Sequence, residues 1–317
     1  IGLMKVSICL TVLNAEKSIS PLMESLRDQS KKAEEIVVVD GGSKDKTIEI
    51  LKHYQKKERR IKLLFENCLR ARGRNLAVEL GGSEIIAMTD AGCIAHKDWL
   101  EKITAPFTDR DVNIVAGVYE MIGETPKQKA LGVFLGFPLS KFGKDFLPTT
   151  RSIAFRKEAW ERVGGFPERK ENSAEDSEFN TTAIRLGLKY SRVKDAVVEW
   201  GIPRKLIEGI KTMGDYAKWD ARYEPLWNPT QKVSSHNIRV ILIFLRYMLG
   251  IGLVILGFRY PLFLFLFTLG FFFYLYWAYK KVYRQFPDWK ASIWGPPVQI
   301  ASDIVVMIGF LKGIMGK

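Results

Sequence analysis

The chain has 317 residues, a net charge of +13 and 47% hydrophobic residues, enough for two ordinary domains or for one large domain with an appendage. From residue 238 onward nine Lys/Arg stand against two Asp/Glu. Much of the positive excess is thus carried by the apolar end, which points to anionic membrane lipids as its partner. Nucleic acid is excluded, because the basic clusters (Lys31 with Lys32, Lys56 with Lys57, Arg59 with Arg60) carry no recognition-helix or RNA-binding signature. Cys9, Cys68 and Cys93 have no metal-site spacing and an odd count, which excludes a disulfide framework.

The first two hundred residues alternate in period. Residues 5–13 form a strand-like apolar run, too short for a secretory leader, with Met4 expected as the start. Residues 18–29 have helical spacing through Ile19, Leu22, Met23 and Leu26. Residues 35–40 are a β-branched run of the kind buried on both faces of a parallel sheet. Helix over 45–57, strand over 61–65, helix over 71–80 and strand over 84–89 follow. This alternation predicts a doubly wound α/β sheet, whose ligand site lies beyond the carboxyl ends of its strands.

Two predicted strands run into an aspartate at that end. Asp40 begins Asp-Gly-Gly-Ser and Asp90 begins Asp-Ala-Gly-Cys. A carboxylate followed by glycines that admit a close ligand suits ribose hydroxyls or a metal-bound diphosphate. For Asp40 a plain turn is the alternative. Arg72 and Arg74 precede a helix on the same side, where one of them would contact an anion. Arg151 would hold an acceptor phosphate or cap a strand. The run Ser173-Ala-Glu175-Asp176 reads by itself as a helix N-cap with an acidic first turn.

Taken in order, these pieces resemble the family 2 glycosyltransferases of GT-A fold. The matching residues are the strand end Thr11 to Glu16, then Val39-Asp40-Gly-Gly-Ser-Lys-Asp45, Arg72-Gly-Arg74-Asn75 and Thr89-Asp90-Ala91-Gly92. Further on come Ser152 to Arg156, Val163-Gly-Gly-Phe166, and Glu175-Asp176 followed by Arg185-Leu-Gly187. The resemblance implies a Rossmann-like, mostly parallel GT-A catalytic domain that uses a UDP- or GDP-linked sugar. Val12, Asn14, Glu16, Asp40, Arg72, Arg74, Asn75, Asp90 and Ala91 would line the donor site, and Arg151 with Ser152 the acceptor side. Asp176, with Glu175, stands where the family places its general base, and Asp90 at the first position of the family's Asp-x-Asp metal motif. A divalent cation, Mg²⁺ or Mn²⁺, is therefore expected. Gly92 occupies the second aspartate's place, and Glu199, a hard oxygen ligand, is the expected replacement. The Gln-x-x-Arg-Trp motif of processive synthases is absent, which favours transfer of a single sugar.

The remainder divides into an amphipathic interfacial segment over 204–237 and a transmembrane region over 238–317, with the catalytic domain at 1–203. Within the membrane region, 238–258 and 260–279 are each long enough for a bilayer core of about 30 Å, and 298–315 is a weaker third span carrying Asp303. The basic loop with Lys280, Lys281, Arg284 and Lys290 should face the cytoplasm, and two spans then place the catalytic domain on the same side. A multi-pass cell-membrane protein with a lipid-linked acceptor, a polyprenyl phosphate or a lipid-linked saccharide, follows as the expectation. A membrane-tethered nucleotide-sugar or protein-binding module without turnover, and a nucleotidyltransferase, are the alternatives.

Overall fold

The computed structural model describes residues 4–136, 142–169, 174–223, 227–228, 233–234 and 236–316, and the chain divides into two compact units. The first comprises Ile1–Glu120 and Leu139–Gly201, the second Met121–Pro138 and Ile202–Lys317.

In the first unit the chain alternates β1 (Val6–Val12), α1 (Ile19–Arg27), β2 (Glu35–Asp40), α2 (Thr47–Lys57), β3 (Ile61–Phe65), α3 (Arg70–Leu80) and β4 (Ile85–Met88). The elements β5 (Cys93–Ala95) and α4 (Trp99–Thr104) precede β6 (Val112–Ile122). An inserted helix, α5 (Pro126–Leu135), is followed by β7 (Ile153–Arg156), α6 (Lys157–Val163), α7 (Glu175–Arg185) and β8 (Lys189–Gly201). The eight strands form one sheet in the order β3-β2-β1-β4-β7-β6-β8-β5. Strands β3, β2, β1 and β4 run parallel, whereas β7 is antiparallel to both β4 and β6, and β5 is antiparallel to β8.

Burial on both faces explains the β-branched strands. Val6, Ile8, Leu10 and Val12 of β1 pack on one side with Ile19, Leu22, Met23 and Leu26 of α1 and with Trp99 of α4. Cys9, Val37 and Val39 face the other side, where α3, α6 and α7 supply Leu76, Ala77, Ala159 and Phe179. Burial pushes the Cys9 and Cys93 thiols upward, so both are inert core groups.

The second unit holds α5 together with α8 (Leu206–Tyr223), α9 (His236–Gly257), α10 (Pro261–Gln285), α11 (Trp289–Ile293) and α12 (Gly295–Met315). Three stretches, Asn237–Gly257, Pro261–Gln285 and Trp289–Met315, are long and apolar enough to cross a membrane. Helices α9 and α10 form a hairpin, turned at Phe258 to Tyr260 with Tyr260 N–H donating to the Leu256 carbonyl at 2.8 Å. Leu242, Leu245, Met248, Ile251, Phe265 and Phe272 are among its exposed apolar side chains, a surface far beyond what a soluble protein leaves bare.

Arg246 does not snorkel to a helix end. It pairs with the buried Asp303 of α12, which also accepts from Tyr274 at 2.6 Å, Tyr247 at 3.3 Å and the Gln299 amide at 2.8 Å. Helix α8 lies along α12 and also meets α5, where Gly209 faces Leu131; Gly209, Ile210, Met213, Ala217 and Ala221 are its buried residues.

Candidate active site

Adjacent strand ends bring Val12, Asp40 and Asp90 close to one another. Val12 pairs with Asp40 across β1 and β2, and Asp90 follows β4 on the other side of β1. Asp40 is 1% exposed, and its Oδ1 accepts from the backbone N–H groups of Gly42 and Ser43, the turn geometry its sequence suggests. Its Oδ2 is buried and takes no partner within the described residues. An acceptor oxygen left bare in this way is costly unless a ligand donates to it.

Asn14 and Glu16 spend their polar atoms on holding the rim. Asn14 sits in the left-handed region (φ 49°), takes the Lys44 N–H on its Oδ1 and donates its own N–H to Ser43. Glu16 accepts from Lys46 N–H, and its own N–H donates to Asp45. The loops after β1 and β2 therefore brace each other.

Asp90 is the centre of a charge network. Arg74, only 2% exposed, donates to Asp90 Oδ1 at 2.8 Å and to Glu175 on α7 through its other terminal nitrogen. Thr150 donates to Asp90 Oδ2 at 3.2 Å, and Arg70 lies 3.6 Å from Glu175. Burial alone would raise the Asp90 pKa, but the Arg74 and Arg151 charges outweigh it and hold the carboxyl below its ordinary range. Asp176 behaves oppositely. Burial and the adjacent Glu175 carboxylate raise its pKa, and Arg74 and Arg151 offset only part of that. Arg151 stacks over the Trp200 ring at 3.8 Å and the Tyr119 ring at 5.0 Å, which fixes its plane beside the two aspartates.

Several expected site residues are engaged by other side chains of the fold. Arg72 is placed among Glu66, Glu79 and Glu168, so its charge is met by carboxylates rather than offered to a diphosphate. Asn75 is buried, exchanging hydrogen bonds with the Phe166 backbone and donating to Glu168, which ties α3 to the Gly165-Phe166 loop. Ser152 is 1% exposed, donates to the Ala196 carbonyl and accepts from the Trp99 indole, leaving nothing for an acceptor. Glu175 is buried against Arg74.

Glu199 is not brought to Asp90. It lies opposite Ile94 across β5 and β8 and bonds His96 at 3.2 Å, whereas Cys93 and Trp200 share the other face. Gly92 adopts φ 89°, a turn conformation that favours glycine, and Ala91 is half-buried beside it. No group of three His, Cys, Asp or Glu side chains placed to hold a metal ion is found among the described residues. Ser173, the expected cap of α7, lies outside the described residues; the residue ahead of α7 is Ala174, with φ 35°. Thr150, Arg70, Tyr119 and Trp200 join the site without a sequence signal of their own, since each is defined by a partner distant in the chain.

A model described as glycosyl transferase family 2 matches residues 7–166, just over half of the chain. The chain belongs to glycosyl transferase family 2. Among this family 2 chain's relatives is Glycosyltransferase AglE of Haloferax volcanii, 26% identical over 170 residues, which are 51% of this chain and 56% of that protein. The chain thus spans about half the length of that relative. Two solved structures share the fold at low identity. The mannosyltransferase PcManGT from Pyrobaculum calidifontis, in complex with GDP-Man and Mn²⁺, gives a TM-score of 0.56 at 20% identity, covering 73% of this chain and 68% of that one. S. aureus TarS 1–349, in complex with UDP-GlcNAc, gives 0.52 at 21%, covering 70% and 68%. The GT-A fold expected of a family 2 member is the one observed. The family match ends ahead of α7, so Asp176 rests on the geometry above.

Proposed function

We propose that this chain transfers one sugar, with inversion, from a UDP- or GDP-linked donor to a membrane-associated acceptor, a polyprenyl phosphate or a lipid-linked saccharide. The observation that carries the reading is the Arg74 bridge, which ties the strand-end Asp90 to Glu175 on α7 and so sets Asp176, the next residue, in the field of Arg74 and Arg151. The bare Asp40 oxygen supports a nucleotide on the donor side. The complexes of PcManGT with GDP-Man and of TarS with UDP-GlcNAc support the donor class.

In this reaction the acceptor oxygen bonds to the anomeric carbon as the bond to the diphosphate breaks, and the acceptor's hydroxyl proton passes to Asp176. A carboxylate with a raised pKa is the better proton acceptor, which suits a general base. Arg151 would hold negative charge next to it. A phosphate acceptor brings its own nucleophilic charge, and Asp176 is then not needed as base.

The residues fit a divalent cation held largely by the donor. Mg²⁺ commonly takes one or two protein carboxylates plus substrate phosphates, and Asp90 would be such a carboxylate. When bound, the ion would neutralise charge on the departing diphosphate. Membranes containing the protein, incubated with a panel of labelled nucleotide-sugars, should yield labelled lipid. Labelled water-soluble glycan in its place would remove the lipid-acceptor assignment. The exposed apolar hairpin supports a cell-membrane location, with the catalytic unit and the 280–290 loop on the cytoplasmic face where nucleotide-sugars are found.

A further inference from the structure

By length and composition α12 is a third span, but its contacts run across the α9–α10 hairpin rather than along it. At the start of α12, a Cβ on Gly295 would meet the Ala278 backbone and Val282, near the free end of α10. One turn on, Gln299 accepts from Lys281 at 3.4 Å. Asp303 then reaches Tyr274, Arg246 and Tyr247, partway into the hairpin. Beyond it Phe310 packs with Val240 and Phe244, back at the free end of α9.

The free ends of α9 and α10 lie at the same end of an antiparallel hairpin, so α12 begins and finishes at that end. The turn half of the hairpin is closed within itself, with Gly250 against Phe267 and Gly257 against Leu264. A crossing α12 would have carried Phe310 towards that turn.

Helix α8 makes the same point. A Cβ on Gly309 would collide with the Gly214 carbonyl and one on Gly313 with the Lys218 carbonyl, so the two helix backbones are in close contact over the second half of α12. Arg222 donates to the Gly316 carbonyl. Glu208, Lys211 and Asp215 are exposed on α8. If α12 crossed the bilayer, α8 would take those charges into hydrocarbon, where they are expensive. In the third apolar stretch, Trp289–Met315, which contains α12, 33% of the apolar window is buried within the protein, against 11% and 6% for the other two. Ile304, Ile308, Leu311 and Met315 remain exposed as a stripe on the side away from the buried residues.

We propose that α12 and α8 lie together in the plane of the membrane surface, with that stripe inserted into the lipid leaflet at the hairpin's free ends and the charged side of α8 turned to water. The chain then crosses the bilayer twice, and the end of α12 is on the face of the 280–290 loop. This rests on the reading of α9 and α10 as a crossing hairpin.

Epitopes appended after Lys317, inserted at Arg259 and inserted at Pro287 in the full chain distinguish the possibilities in right-side-out and inverted vesicles. The terminal and Pro287 epitopes should be reached from one face and the Arg259 epitope from the other. A terminal epitope reached together with Arg259 overturns the in-plane helix. All three on one face would overturn the crossing hairpin itself. Nitroxide labels at positions 304, 308, 311 and 315 give an independent readout. One shallow depth for all four is expected, whereas a steady change over the roughly 16 Å that eleven helical residues span would show a crossing helix.

Discussion

Asp90 and Asp176 carry the same functional group, yet their surroundings drive their proton affinities apart. Asp90 is held ionised by Arg74 and Arg151, so it stabilises the fold above the ordinary carboxylate pKa, and this is lost as pH falls through its depressed value. Asp176, raised by burial and Glu175, stabilises only below the ordinary carboxylate pKa and loses that contribution as pH rises through the raised value. Ionising Asp176 is therefore a cost to stability. Asp176→Asn should raise the melting temperature while lowering turnover by about 10²–10⁴, the range for a lost general base. Asp90→Asn should lower both, because Arg74 keeps its burial and loses a counter-charge. Thermal scans of the two purified variants decide this, and an Asp176→Asn protein no more stable than the parent would refute the burial argument. The acid limb of the parent's turnover should lie above the ordinary aspartate range and be absent from the residual activity of Asp176→Asn. Asp40 and Asp90 were legible in the sequence because strand-end carboxylates before glycines are local patterns. Asn75 and Ser152 were not, because their roles depend on Phe166, Trp99 and Ala196, all remote in sequence.

At the scale of elements, the parallel strands and their helices were legible because each carries its own burial pattern. All six positions of β2 are buried, and the buried residues of α1 are the four apolar positions its spacing picked out. The antiparallel half was not legible, since β7, β6 and β8 are joined by pairing partners that no local period encodes. The amphipathic pattern of α8 likewise gave a helix but not its partner, α12. The polar cluster on Asp303 fastens α12 to both helices of the α9–α10 hairpin. Asp303→Leu would leave Arg246 without its counter-charge, and Arg246→Leu the reverse. The double variant removes both charges and should recover part of the stability. A coupling of about 0.5–3 kcal/mol is expected of two charges that share one network. Unfolding in mild detergent measures it, and strictly additive losses would mean that the pair does not fasten the helices.

For the whole molecule, the division of the chain limits how it can be cut. The catalytic unit is discontinuous, because Met121–Pro138 belongs with the helical unit, so the chain passes between the two units three times. Helix α5 buries Ala130, Leu131, Val133 and Leu135 in a cluster with Ile202, Met213, Val282, Ala291 and Val298. A fragment ending at residue 203 keeps Ile202 but removes the other four partners, leaving the apolar face of α5 uncovered. Such faces drive association in water. The fragment 1–203 should therefore be recovered mainly as aggregate without detergent, although its sheet is complete. Replacing 126–135 by a short polar linker within that fragment should restore a monomer, seen by size-exclusion chromatography, with a cooperative melting transition. If the unmodified fragment is already monomeric and melts cooperatively, α5 is dispensable cover. If the linker variant fails to fold, the inserted segment contributes to the sheet domain itself, and the two units are not separable at these boundaries.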